Sequence, residues 1–148
     1  MNPENEIVKL CTAGMTAEME GRPDEALALY EEAWRAAVTP TERCIAAHFL
    51  ARHQDSDQAT LHWNQEALRL ADVVDDDSVQ DFYPSLYLNL AHSHELLGNL
   101  AEARRYYDLA AARVDELPEG LYGTRVRNSI GRHRQQMDAL EKKRIDDE

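Results

Sequence analysis

The chain has 148 residues, of which 30% are charged and 43% hydrophobic, and a formal charge of −12. That length is enough for one domain with a proper core, and the composition suits a helical globular protein rather than a disordered one. The acidity disfavours a nucleic-acid backbone as partner. No apolar run approaches the ~20 residues needed to span a bilayer, and the acidic Met1–Glu6 start lacks a signal-peptide core, so no membrane is expected and the protein is placed in the cytoplasm.

Apolar positions recur three and four apart almost throughout, and no stretch alternates long enough for a strand. Pro3, Pro23, Pro40, Pro84 and Pro118 each stand just ahead of such a pattern. A proline is tolerated there because its missing N–H would have no partner in the first turn. The spacing predicts seven helices, at about 3–19, 24–38, 41–53, 56–74, 83–97, 100–116 and 119–144. Thr39-Pro40-Thr41-Glu42 and Asn99-Leu100-Ala101-Glu102 read as capping boxes. Short connections make consecutive helices antiparallel hairpins. The longer one, Asp75 to Phe82, lacks the glycine and closing glutamate of a calcium loop and reads as a solvated helix-end turn. Residues 121–148 carry seven Lys/Arg against five Asp/Glu, so the last helix is basic while the body is acidic.

Two segments repeat one another at an offset of 77, from Gly21 to Gly98. Each has a glycine, then Glu-Ala (Glu25-Ala26, Glu102-Ala103), a tyrosine four residues on (Tyr30, Tyr107) and an alanine three later (Ala33, Ala110). The offset leaves room for a copy between them, which points to a stacked-repeat architecture. On these residues the chain resembles the tetratricopeptide-repeat family, whose unit is a helix–turn–helix of about 34 residues. The first unit fits with Gly14, Gly21, Ala26, Tyr30 and Ala33. The third fits with Tyr87, Leu90, Ala91, Gly98, Ala103, Tyr107 and Ala110. The middle unit is degenerate: Ala47, Ala59 and Trp63 fall where expected, Gln54 stands for the turn glycine, and Ala67 is one residue late.

The resemblance implies an all-α fold, a right-handed superhelical stack of antiparallel helix hairpins within a single domain. Its repeats would span about 5–38, 40–74 and 82–116, with a C-terminal capping helix at about 119–144. Small crossing residues would be Gly14, Ala47, Ala91 and Gly131. In the cap, Val126, Ile130, Met137 and Leu140 form one stripe with His133 on the same line, and Arg125, Arg127, Arg132, Arg134, Lys142 and Lys143 form the wet side.

Carried over residue by residue, the family's concave groove takes Cys11, Met15 and Glu18 from the first unit, Cys44, His48 and Arg52 from the second, and Leu88, Asn89, His92 and Glu95 from the third. Helical spacing puts each set on one face. The lysine-and-asparagine clamp of the co-chaperone members is absent, since Cys11 and Met15 stand in its places. Methionine, leucine and histidine suit an apolar or amphipathic segment better, and His92 in the groove could make binding pH-sensitive. Cys11 and Cys44 form neither a disulfide framework nor a zinc spacing and read as reduced thiols. A bridge between them would need favourable side-chain vectors. His48 with His53 and His92 with His94 share no helix face, and His-x-x-x-His does not occur, so no metal or other cofactor is expected. No nucleophile elbow, phosphate loop or HExxH motif is present, so no enzyme activity is expected. The expected function is a non-catalytic protein–protein interaction adaptor holding a peptide or helix of a partner. The alternatives are a homo-oligomeric scaffold assembled through repeat ends or groove, and a sensor of a small molecule or signal peptide.

Overall fold

Asparagine, threonine and serine oxygens open three of the helices by accepting backbone N–H groups that the first turn leaves without partners. In the computed structural model, which describes residues 2–147, Asn5 caps α1 (Glu6–Met19), Thr39 caps α3 (Pro40–Leu50) and Ser56 caps α4 (Asp57–Asp72). The others are α2 (Pro23–Ala36), α5 (Tyr83–Leu96), α6 (Leu100–Val114) and α7 (Leu121–Asp146). Short 3-10 turns occupy Ala51–His53 and Gln80–Phe82. The described residues thus form an all-α chain of seven α-helices with no strand.

Gly21 and Gly98 close their hairpins at φ of 75° and 81°, a backbone region that a Cβ strains. Gln54, at the matching place in the middle hairpin, stays extended at φ −102° and follows a 3-10 turn. The Asp75–Phe82 connection also turns locally: Asp76 accepts the Ser78 N–H at 2.9 Å, and the Ser78 hydroxyl lies 3.1 Å from that of Thr41.

One of the two expected capping boxes forms. Thr39 Oγ1 accepts the Glu42 N–H at 3.1 Å, and Glu42 Oε1 accepts the Thr39 and Val38 N–H groups. The other does not: Asn99 makes no cap bond and lies 3.4 Å from His94 Nδ1, while Arg105 engages Glu102. Thr39→Ala is therefore expected to cost about 1 kcal/mol and Asn99→Ala clearly less. Thermal melts of the two variants side by side check this; equal losses would count against the cap assignment.

Contacts divide the chain into two compact units, Met1–Gln80 and Asp81–Glu148. In the first, α1 and α2 pair as a hairpin, as do α3 and α4, and α3 also packs on α1 and α2. Tyr30 stacks on Phe49 with centroids 5.3 Å apart, and Trp34 meets Trp63 edge-on at 5.0 Å. In the second, α5 and α6 form the hairpin and α7 packs along both. Ala110, Val114, Leu117, Val126 and Ile130 form one part of its core, and Ala91, Ala103, Tyr107 and Met137 another.

Two expectations about α7 and the crossings need correcting. Leu140 lies outside the buried stripe, which ends at Met137. Gly131 is exposed with open space where a Cβ would stand, whereas a Cβ on Gly14 would meet the Tyr30 ring. Only Gly14 of these two is a close-approach position.

Candidate functional site

The signature residues Ala26, Tyr30, Ala33, Ala103, Tyr107 and Ala110 are all 0% exposed. They serve packing, and any ligand chemistry lies around them.

In the first unit, Tyr30 on α2 reaches across the hairpin to α1, where its hydroxyl donates to Glu18 Oε1 at 2.6 Å. The turn after α3 sends two more groups to the same carboxylate. Arg52 donates from Nε at 3.0 Å and from Nη2 at 2.7 Å, a two-bond fork, and His53 Nε2 lies 2.7 Å from Oε1. The His53 ring stacks on Tyr30 at 6.0 Å. Burial by itself would raise the Glu18 carboxyl. Hydrogen bonds from Arg52, Tyr30 and His53, with the Arg52 charge, outweigh that and hold it down at about 2.

The second unit repeats the plan with different endings. The Tyr107 hydroxyl donates to Glu95 Oε1 at 3.1 Å, and an imidazole, His133 of α7, stacks on the Tyr107 ring at 5.3 Å and 9°. Glu18, Tyr30 and His53 thus correspond to Glu95, Tyr107 and His133. The pair Arg52-His53 also has its sequence echo in Arg132-His133. Here, however, Arg132 is exposed, and no guanidinium reaches Glu95 among the described residues. His133 Nδ1 stands 3.9 Å from Glu95 Oε1, too far for a hydrogen bond, and is buried with no hydrogen-bond partner. Burial lowers the His133 imidazole below its ordinary value, with Glu95 working against this.

His92, on the α5 face one turn before Glu95, completes the group. Its ring lies 5.6 Å from that of His133, edge to face, and it occupies the place that Met15 holds in the first unit. One ligand atom from each of His92, Glu95 and His133 lies within 4.8 Å of the others. No family model, curated protein or solved structure matches the chain.

The ten groove residues expected from the sequence therefore divide by environment. Cys11, Cys44 and His48 are buried in the first unit's core, so they cannot line an open groove there. Both thiols are free, and burial pushes each up to about 12, which keeps them un-ionised. Glu18 and Arg52 are committed to one another, and Met15 is half-buried. In the second unit Leu88 packs against both parts of the core, Asn89 is half-buried, and His92 and Glu95 join His133. His94 is buried and stacks on Tyr106 at 5.6 Å and 4°.

Two features lay outside that list. His133 was legible only as a member of the α7 stripe, because its meeting with His92 and Glu95 joins helices about 40 residues apart. A cleft of about 490 Å³ also opens along α6 and α7, lined by Leu100, Ala101, Arg104, Met137, Leu140, Glu141 and Arg144. Its signal was Leu140, an apolar residue at the end of a stripe whose wet side is basic. Arg104 ties the rim together by donating to Asp138 at 2.6 Å and to Glu141 at 3.3 Å.

Proposed function

We propose that the chain is a non-catalytic adaptor of the tetratricopeptide-repeat kind, stacked as a superhelix, that holds an apolar or amphipathic segment of a partner protein. The α6/α7 cleft carries this reading. Its floor is apolar, Leu100 and Leu140 remain 40% and 46% exposed, and Arg104, Glu141 and Arg144 stand around it. A helix laid in such a cleft would bury its leucine-type anchors and meet charges at the edge. The half-buried Met15, at a place where the two copies differ, offers a second adaptable contact.

The test uses the full chain. Affinity capture coupled to cross-link mapping is expected to recover a partner whose cross-links fall on α6 and α7. Leu100→Glu with Leu140→Glu, both on the surface, should release that partner while the far-ultraviolet circular dichroism stays unchanged. Retention by the double variant, with Met15→Glu also inert, overturns the adaptor reading. The homo-oligomeric scaffold rests on one further observation: the basic α7 complements an acidic body. Light scattering separates the two readings, since a monomer at high micromolar concentration rules the scaffold out.

A further inference from the structure

We propose that His92, Glu95 and His133 form a binding site for a first-row divalent transition-metal ion, with Zn2+ as the natural probe, closing α7 onto α5. The donor set is two imidazoles and one carboxylate, a combination that suits Zn2+ and its neighbours and leaves further positions to water. His92 and Glu95 are one helical turn apart on α5, and His133 comes from α7. Their ligand atoms lie within 4.8 Å of one another. Bonds of about 2.1 Å in a tetrahedral site would bring those atoms to roughly 3.4 Å, so closure shortens each separation by no more than about 1.4 Å. His92 is exposed, so a change of its rotamer is not blocked by burial.

The surroundings are already arranged as an outer shell. Tyr107 donates to Glu95 Oε1 and its ring holds the His133 imidazole flat against it. Such partners orient ligands. His133 Nδ1 is buried without a hydrogen-bond partner, which is costly for a polar atom, and a metal ion would satisfy it.

The two units differ at this carboxylate. At Glu18 the negative charge is met by the Arg52 fork, and the neighbouring place is the thioether of Met15. At Glu95 the guanidinium has no side-chain counterpart among the described residues, and the thioether is replaced by the imidazole of His92. The second unit has lost the cation from its carboxylate and gained an imidazole, His92, where the first has an apolar group. An ion pair between His133 and Glu95 alone would leave His92 without a part in the cluster.

Chelator-stripped full-length protein is titrated with Zn2+ in competition with a chromophoric chelator. One ion per chain with micromolar or tighter affinity is expected, with a rise in melting temperature on binding. His92→Ala and Glu95→Gln should each weaken binding on the order of tenfold or more, while His62→Ala, on exposed α4 surface, leaves it unchanged. His133→Phe keeps a ring on Tyr107 and should abolish uptake in a protein that still melts cooperatively. Co2+ in place of Zn2+ should give visible absorption bands that the same three variants lose. Two results overturn the proposal: no stoichiometric uptake by the wild-type chain, or uptake that His92→Ala and Glu95→Gln leave unaltered.

Discussion

Gly14→Ala is expected to destabilise the protein by about 3 kcal/mol. A Cβ at this position would stand 2.8 Å from both Cδ1 and Cζ of Tyr30 and closer still to Cε1. The ring has nowhere to go: it stacks on Phe49 and His53, is fully buried, and its hydroxyl is fixed on Glu18 at 2.6 Å. Relief requires α1 and α2 to part, which would lengthen the Tyr30–Glu18 bond and open the core. The second unit carries Ala91 at the matching place, and its tyrosine bond is longer, at 3.1 Å. A wider hairpin that tolerates a methyl group is thus compatible with the same plan, which caps the expected cost at a few kcal/mol. Gly131→Ala is the control. That glycine is exposed inside α7 with nothing in reach of a Cβ, so alanine should stabilise by about 0.5–1 kcal/mol. Denaturant titrations of both variants decide the matter; a Gly14→Ala protein as stable as wild type would mean that Gly14 is not a close-approach residue.

Gly14 and Gly131 show how far the sequence could be read. Both stand in helical patterns at a spacing consistent with repeat crossings, and sequence alone could not separate them, because what differs is the neighbour. Helix positions were legible for a local reason: apolar spacing, prolines at first turns and the positive-φ glycines Gly21 and Gly98 all act within one or two turns. The box at Thr39 formed and the box at Asn99 did not, since Arg105 and His94 compete for the side chains of the second. The candidate site was legible in pieces. The spacing of His92 and Glu95 put them on one helix face, and His133 stood in line with the apolar stripe of α7, but only packing of α7 against α5 and α6 brings them together. Cys11, Cys44 and His48 fell on the same spacing as Met15 and Arg52, yet lie in the core. Helical periodicity names a face and leaves open whether that face meets water or another helix.

Glu18→Gln is expected to remove about 2–3 kcal/mol of stability near neutral pH and to lose that deficit in acid. The wild-type carboxyl sits at about 2, below its ordinary value near 4.5, and its side chain is only 15% exposed. A carboxyl depressed on folding binds its proton more readily in the unfolded chain, so folding is favoured wherever the group is ionised in both states. Its contribution is therefore fully present above about pH 4.5 and fades as pH falls from there towards 2. Glutamine keeps an oxygen for the Tyr30 hydroxyl and His53, which share Oε1, but it has no charge for the Arg52 fork, and its amide N–H2 in the place of Oε2 cannot accept from Arg52 Nη2. Unfolding free energies for wild type and variant, measured from neutral pH down to about pH 2, should start apart and converge. The other carboxylates titrate in both proteins and cancel in the difference, so the convergence isolates Glu18. Two curves that stay parallel over the whole range would show that the carboxylate is not the hub joining α1, α2 and the turn after α3. Replacing Arg52 with methionine supplies the complementary leg of a double-mutant cycle. If the fork carries the effect, the two substitutions together should cost less than the sum of each alone.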